Sequence, residues 1–237
     1  MGNNSNLLKL PRKNNRDSLS QDNAKLEKLK GEQELAIKML LNALKCKDLY
    51  TWEHSLRVSF FSTTLGRELN LSPFEIYELE VSALLHDIGK IGVPDQILLK
   101  PSRLDENEFQ QMKQHPSSSG NILSDFPSFQ KMSLGAKHHH ERYDGRGYPD
   151  GLKGDNIPLY ARIILIADTF DAMTSTRPYR KGLDCQIAYQ ELRDFSGTQF
   201  DPILVEKFIT AISREINSQS AFFYSSLVAG EFKKIAA

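Results

Sequence analysis

Apolar residues recur every three or four positions along most of this chain, and nowhere does a period-two alternation persist. That spacing demands helices, because side chains three and four apart share a helix face whereas a half-buried strand needs alternate ones. The expected fold class is therefore all-α. The clearest helix start is Ser72-Pro73-Phe74-Glu75. A hydroxyl that accepts from the third helical residue, a glutamate that returns the bond and a proline at the first helical position form a capping box.

From these signals we expect a helix over 25–45, a second from Thr51 to about Leu69, and a third from Ser72 into His86-Asp87, ended by Gly89 and Gly92. Ile91 to Arg103 reads as loop. Short helices follow over Asp105–Lys113 and Ser117–Leu123, split by Pro116, and another over Ser128–His139. Residues 141–157, with Gly145, Gly147, Pro149, Gly151 and Gly154, have loop composition. Pro158 opens a long helix through Ser175, and two more cover Asp184–Asp194 and Pro202–Ile216. Residues 1–24 read as a disordered polar tail and 217–237 as a C-terminal extension. The N-terminal amphipathic helix, within 25–47, suits packing on the domain or pairing with a second copy as a homodimer.

Lys+Arg and Asp+Glu both number 30, so the formal net charge is zero, which argues against a dedicated nucleic-acid binder. The longest apolar run, Ile163 to Ala167, stops at Asp168, well short of the roughly 20 residues a membrane helix needs. Cys46 and Cys185 fit no metal or redox spacing, and no signal peptide is visible, so a reduced cytoplasmic compartment is expected.

All six histidines fall between positions 54 and 140, interleaved with acids. Imidazole with carboxylate suits a divalent metal of intermediate hardness. Asp87 follows an apolar helix face, where an ionised carboxylate needs a partner. A metal is one such partner, and two carboxylate oxygens can serve two metals. Taken alone, His86-Asp87 is a weak signal and more often marks nothing but a polar helix end. Asp168 interrupts the apolar helix and needs either a metal or a buried arginine. His138-His139-His140 precede the glycine-rich loop. His140-Glu141 does not start a zinc-protease HExxH motif, because Asp144 stands where that motif needs its second histidine. Gly89-Lys90 is likewise no phosphate-binding P-loop, because Leu84 stands where its first glycine belongs.

Together these residues resemble a known family. His86-Asp87 with Gly89-Lys90-Ile91-Gly92-Val93-Pro94-Asp95 is similar to the HD motif of the HD superfamily of metal-dependent phosphohydrolases. His139-His140-Glu141, Asp144-Gly145 and Gly147-Tyr148-Pro149 resemble the HD-GYP subfamily, as do Asp168, Phe170-Asp171-Ala172 and Arg177-Pro178-Tyr179-Arg180. Upstream, Thr51, His54-Ser55 and Arg57-Val58 match as well. The resemblance implies an HD-domain helical bundle of about seven or more helices over 48–216.

It also implies a phosphodiesterase that hydrolyses cyclic di-GMP to linear pGpG and/or GMP with two divalent metal ions, iron or manganese foremost, zinc and others within reach. By position, His54, His86, Asp87 and Asp168 would hold one ion. Asp87, His115, His139 and His140 would hold the other, with Asp87 bridging and His138 outside the set. The ions would acidify a bridging water to give the attacking hydroxide. Asp87 and Lys90 count as catalytic, with Lys90 at the scissile phosphate. Tyr148, Arg177 and Arg180 join Lys90 in substrate binding. Some family members carry a glutamate, supporting a third metal, where this chain has Tyr50. Two metals are therefore expected. The resemblance leaves two alternatives open: an HD-type enzyme for another nucleotide or cyclic dinucleotide, and a non-catalytic sensor that docks a GGDEF-type partner.

Overall fold

The helix Leu159–Thr174 (α8 below) is apolar nearly all round, and Ile163, Ile164, Ile166, Ala167 and Phe170 on it are fully buried. A helix without a polar face belongs at the centre of a bundle, and the rest of the domain is arranged about it. The computed structural model describes residue 31, residues 33–176 and residues 181–217. The chain divides into two units, residues 1–39 and 40–237. In the first, the described residues are helical. The expected tail over 1–24 and the C-terminal extension beyond 217 lie outside the described residues.

The helical residues up to 47 are labelled α1, and Leu44, in the second unit, is fully buried. Then come α2 (Leu49–Glu68), α3 (Pro73–Leu84), a 3₁₀ turn (Ile88–Gly92), α4 (Asp95–Leu98), α5 (Glu106–Met112), α6 (His115–Ser124), α7 (Gln130–Lys137), α8, α9 (Cys185–Asp194) and α10 (Pro202–Asn217). Among the described residues there is no strand, only an isolated bridge between Ser196 and Phe200. Helices α2, α7, α9 and α10 pack on α8, and α3 packs on α2 and α7. Phe61, Phe170 and Phe208 meet edge to face, with ring centroids 5.1 and 5.2 Å apart along the chain of contacts through Phe170.

The capping box is formed as expected: Ser72 Oγ accepts from Glu75 N, and Glu75 accepts from Ser72 N at 2.9 Å. Helix ends near the histidines differ from the expectation. Helix α3 stops at Leu84, so His86-Asp87 lie beyond it in a turn, and α7 stops at Lys137. Pro116 does not split a helix but sits in the first turn of α6, where its missing N–H costs nothing. Part of the expected loop over Ile91–Arg103 is the short helix α4.

Candidate metal centre

Three helices end at one point, each closed by a histidine. His86 Nδ1 lies 2.7 Å from Ala83 O near the end of α3. His115 Nδ1 lies 2.7 Å from Met112 O at the end of α5, and His139 Nδ1 lies 2.6 Å from Ala136 O near the end of α7. A carbonyl only accepts, so each Nδ1 carries a proton, and Nε2 is the nitrogen turned toward the cluster. The same bond supplies a donor to a helix-end carbonyl that would otherwise lack one. Three helix C-termini, each with partial negative charge, thus converge on the cluster and favour cations there.

Asp87 sits at the junction, 2% exposed. Its Oδ2 faces His86 Nε2 at 3.3 Å and His54 Nε2 at 3.8 Å. Its Oδ1 faces His115 Nε2 at 3.1 Å and His139 Nε2 at 3.9 Å. Two groups of atoms lie close enough to share an ion: those of His54, His86 and Asp87, and those of His115, His139 and His140. Asp168, from the middle of α8, joins the first group through Oδ1, 3.1 Å from His54 Nε2. All seven residues of the expected ligand set are therefore brought together. His138 faces away, toward Glu141 and Asp150 at 3.7 and 3.8 Å.

The donor set fits a divalent cation. His86 Nε2 and Asp87 Oδ1 are buried without a hydrogen-bond partner, which is costly unless something else occupies them. Burial alone would raise the Asp87 pKa, but Lys90, His86 and His115 hold it well below the usual carboxylate range. Burial likewise opposes ionisation of Asp168, and the His54 imidazole outweighs it. Both acids are ready anions.

The histidines split into two kinds. Burial lowers His54, but carboxylates on both its ring nitrogens win, raising it to about 9. Burial pushes His140 down to about 3, and burial with the neighbouring imidazoles holds His139 well below its ordinary value.

One residue that the resemblance includes, without assigning it a role, supports the site. Asp171, 1% exposed, takes His54 Nδ1 at 2.7 Å, Arg57 Nε at 2.6 Å and Nη2 at 3.1 Å, and Ser175 Oγ at 2.9 Å. It fixes the ring of His54 so that Nε2 faces the cluster. The signal was present: His54 and Arg57 are three apart on α2, and Asp168 and Asp171 three apart on α8, so each pair shares a face.

Lys90 donates to Asp87 Oδ2 at 2.6 Å. The 3₁₀ turn carrying it lies against α6 so closely that a Cβ on Gly89 would fall 2.1 Å from His115 O, a contact only glycine avoids. Buried Glu141 holds the following loop, accepting from Asp150 N at 2.7 Å and Leu152 N at 3.1 Å. Gly147 lies so close that a Cβ would meet Arg142 N at 2.3 Å. The Tyr148–Pro149 peptide is cis, and the Tyr148 ring stacks on His140, centroids 4.9 Å apart. Arg177 and Arg180 lie outside the described residues. The Tyr50 ring lies parallel to His54, centroids 6.4 Å apart.

An all-helical domain whose helix ends gather histidines around a shared aspartate defines a class of candidate metal-dependent domains. The chain belongs to the HD domain family, whose model matches residues 32–204, and its GYP loop marks the HD-GYP branch. It is 43% identical over 173 residues to a cyclic di-GMP phosphodiesterase of Thermotoga maritima, covering 72% of this chain and 47% of that one. It is 40% identical over 156 residues to the 3′3′-cGAMP-specific phosphodiesterase 3 of Vibrio cholerae, covering 66% of this chain and 34% of that one. The crystal structure of a cyclic GMP-AMP-specific phosphodiesterase from V. cholerae shares the fold at a TM-score of 0.55 and 22% identity, covering 73% of this chain and 45% of that one. The chain thus spans about half the length or less of these relatives. No described helix is long and apolar enough to cross a membrane.

Proposed function

We propose that this chain is a cyclic dinucleotide phosphodiesterase that hydrolyses cyclic di-GMP to linear pGpG and/or GMP. The observation that carries the reading is Asp87, with one oxygen toward His54 and His86 and the other toward His115 and His139. One carboxylate reaching two sets of imidazoles is what a two-metal phosphodiester site needs. His54, His86, Asp87 and Asp168 hold one divalent ion; Asp87, His115, His139 and His140 hold the other. Iron or manganese suits this nitrogen and oxygen set, and zinc accepts it too. When bound, the ions supply Lewis-acid charge and an acidified water at neutral pH.

The chain's own residues orient the substrate. Lys90 meets charge growing on the phosphoryl oxygens, and Arg177 and Arg180 clamp the second phosphodiester. Tyr148 closes the site on the loop side. With a phenol at position 50 in place of a carboxylate, two ions suffice and no third is held. Free thiols at Cys46 and Cys185 accord with a reducing cytoplasm.

The test is incubation of the purified protein with cyclic di-GMP and Mn²⁺ or Fe²⁺ under reducing, anaerobic conditions. Linear pGpG or GMP is expected, and intact substrate with bound metal would sink the reading. A second substrate, 3′3′-cGAMP, is favoured by the relative 40% identical to this chain that bears its name. The ratio of kcat/KM for the two dinucleotides decides between them.

A further inference from the structure

Helix α5 ends by delivering two residues to the mouth of the site. His115 enters the cluster, and Lys113, two residues earlier, turns its ammonium onto aromatic faces. Lys113 Nζ lies 4.9 Å from the centre of the Tyr148 ring and 5.5 Å from that of Phe109, one helical turn back. The same Tyr148 ring stacks on His140, and its backbone N–H donates to His140 O at 3.2 Å. A continuous line therefore runs from the cluster through His140, Tyr148 and Lys113 to Phe109, which is 43% exposed.

Among the described residues no carboxylate pairs with Lys113, whereas Lys90, Lys100, Lys131 and Lys137 each have one. Aromatic faces hold a cation in place without neutralising it. An ammonium so held is free to meet an anion. Exposed Phe109 offers a flat apolar face beside it, the surface on which any nucleobase stacks.

We propose that Lys113 and Phe109 form a substrate subsite on α5, outside the metal cluster. Lys113 adds its charge to the phosphodiester that is not cleaved, beside the arginine clamp proposed above, and Phe109 stacks against the adjoining base. The ligand class is a 3′,5′-linked dinucleotide, and the proposal rests on the phosphodiesterase reading above. Nucleobase identity is not read here, because stacking accepts every base.

The test uses the 237-residue, Mn²⁺-loaded protein in three forms: wild type, Lys113→Met and Phe109→Ala. Each is assayed on cyclic di-GMP and on bis(4-nitrophenyl) phosphate, which carries one charge and no base. Lys113→Met keeps the packing stem but loses the charge. Its KM for cyclic di-GMP should rise about tenfold, as expected for one charge-assisted contact. That rise should exceed by roughly fivefold any change on the bis-ester, and the dependence of KM on salt should become shallower. Phe109→Ala should raise KM about fivefold through lost stacking.

Unchanged KM and unchanged salt dependence in Lys113→Met, with wild-type turnover intact, would overturn the subsite and leave the phosphodiesterase reading standing. Equal losses on both substrates with a lowered melting temperature would assign Lys113 a structural role and overturn it too. A wild type that cleaves the bis-ester but neither cyclic di-GMP nor, in a parallel assay, 3′3′-cGAMP would overturn both readings.

Discussion

The two halves of the histidine cluster share Asp87 but differ in how they are held and charged. In the half built from His54, His86 and Asp168, His54 carries carboxylates on both ring nitrogens, at 2.7 and 3.1 Å, and keeps a proton up to about 9. In the half built from His115, His139 and His140, the rings face one another, with His115 and His139 Nε2 atoms 3.4 Å apart. Burial leaves His139 and His140 neutral. The first half is an ion-pair network that a metal must displace a proton from. The second presents His139 and His140 already in the neutral form a metal takes. The contrast implies that the two proposed ions bind with different affinity and different sensitivity to pH.

Asp87→Ala should erase the contrast by removing the residue common to both halves. Bound metal should fall to near zero and turnover of cyclic di-GMP to below about one part in 10³. Elemental analysis alongside product chromatography checks this, and retention of either ion would break the shared-carboxylate account. Replacing one histidine in each half separates them. His54→Ala should lose the first ion and keep the second, and His139→Ala should do the reverse, each retaining about one equivalent of metal. Loss of both ions from either variant would show that the halves fill only together.

Much of this arrangement was legible in the sequence, and the exceptions share a cause. The helix pattern, the capping box at Ser72 and the glycine loop after His140 follow from local spacing and turn chemistry. The seven proposed ligands were chosen through resemblance, and the fold brings all of them within reach of Asp87. The helix ends were misplaced at His86 and His139 because the imidazole itself closes the helix, through Ala83 O and Ala136 O. Periodicity does not register a side chain that caps a backbone. Asp171 is legible in the sequence only as part of the family resemblance, with no role, because that role depends on α2 lying against α8, a tertiary fact. Its neighbour Asp168 stands out in the sequence on its own because it interrupts an apolar run.

Asp171→Asn perturbs only the first half. An amide can still accept from Arg57 but no longer stabilises a charged or strongly polarised His54. Affinity for the first ion should fall about 10- to 100-fold, the usual cost of losing a carboxylate behind a ligating histidine. Affinity for the second should change far less. Titration with Mn²⁺ followed by electron paramagnetic resonance resolves the two. An equal drop at both sites would mean that Asp171 supports the bundle as a whole and not His54 in particular.

The mildest test of the contrast is pH. In the metal-free protein His54 has a folded pKa of about 9 against an ordinary 6.5. A raised folded pKa stabilises the fold fully below 6.5 and loses that contribution as pH climbs through 9. The metal-free protein should therefore melt at progressively lower temperature across that window, so far as His54 governs it. Metal binding runs the other way. The first ion needs neutral His54, so at pH 7 its uptake releases a proton, and its apparent affinity should rise up to about tenfold per pH unit until it levels near 9. Neutral His139 and His140 give the second ion no such slope. Calorimetry in buffers of different ionisation enthalpy counts the protons directly. A proton released from His54 with the first ion, over and above what the acidified water loses, would confirm that the halves differ in charge and not merely in composition.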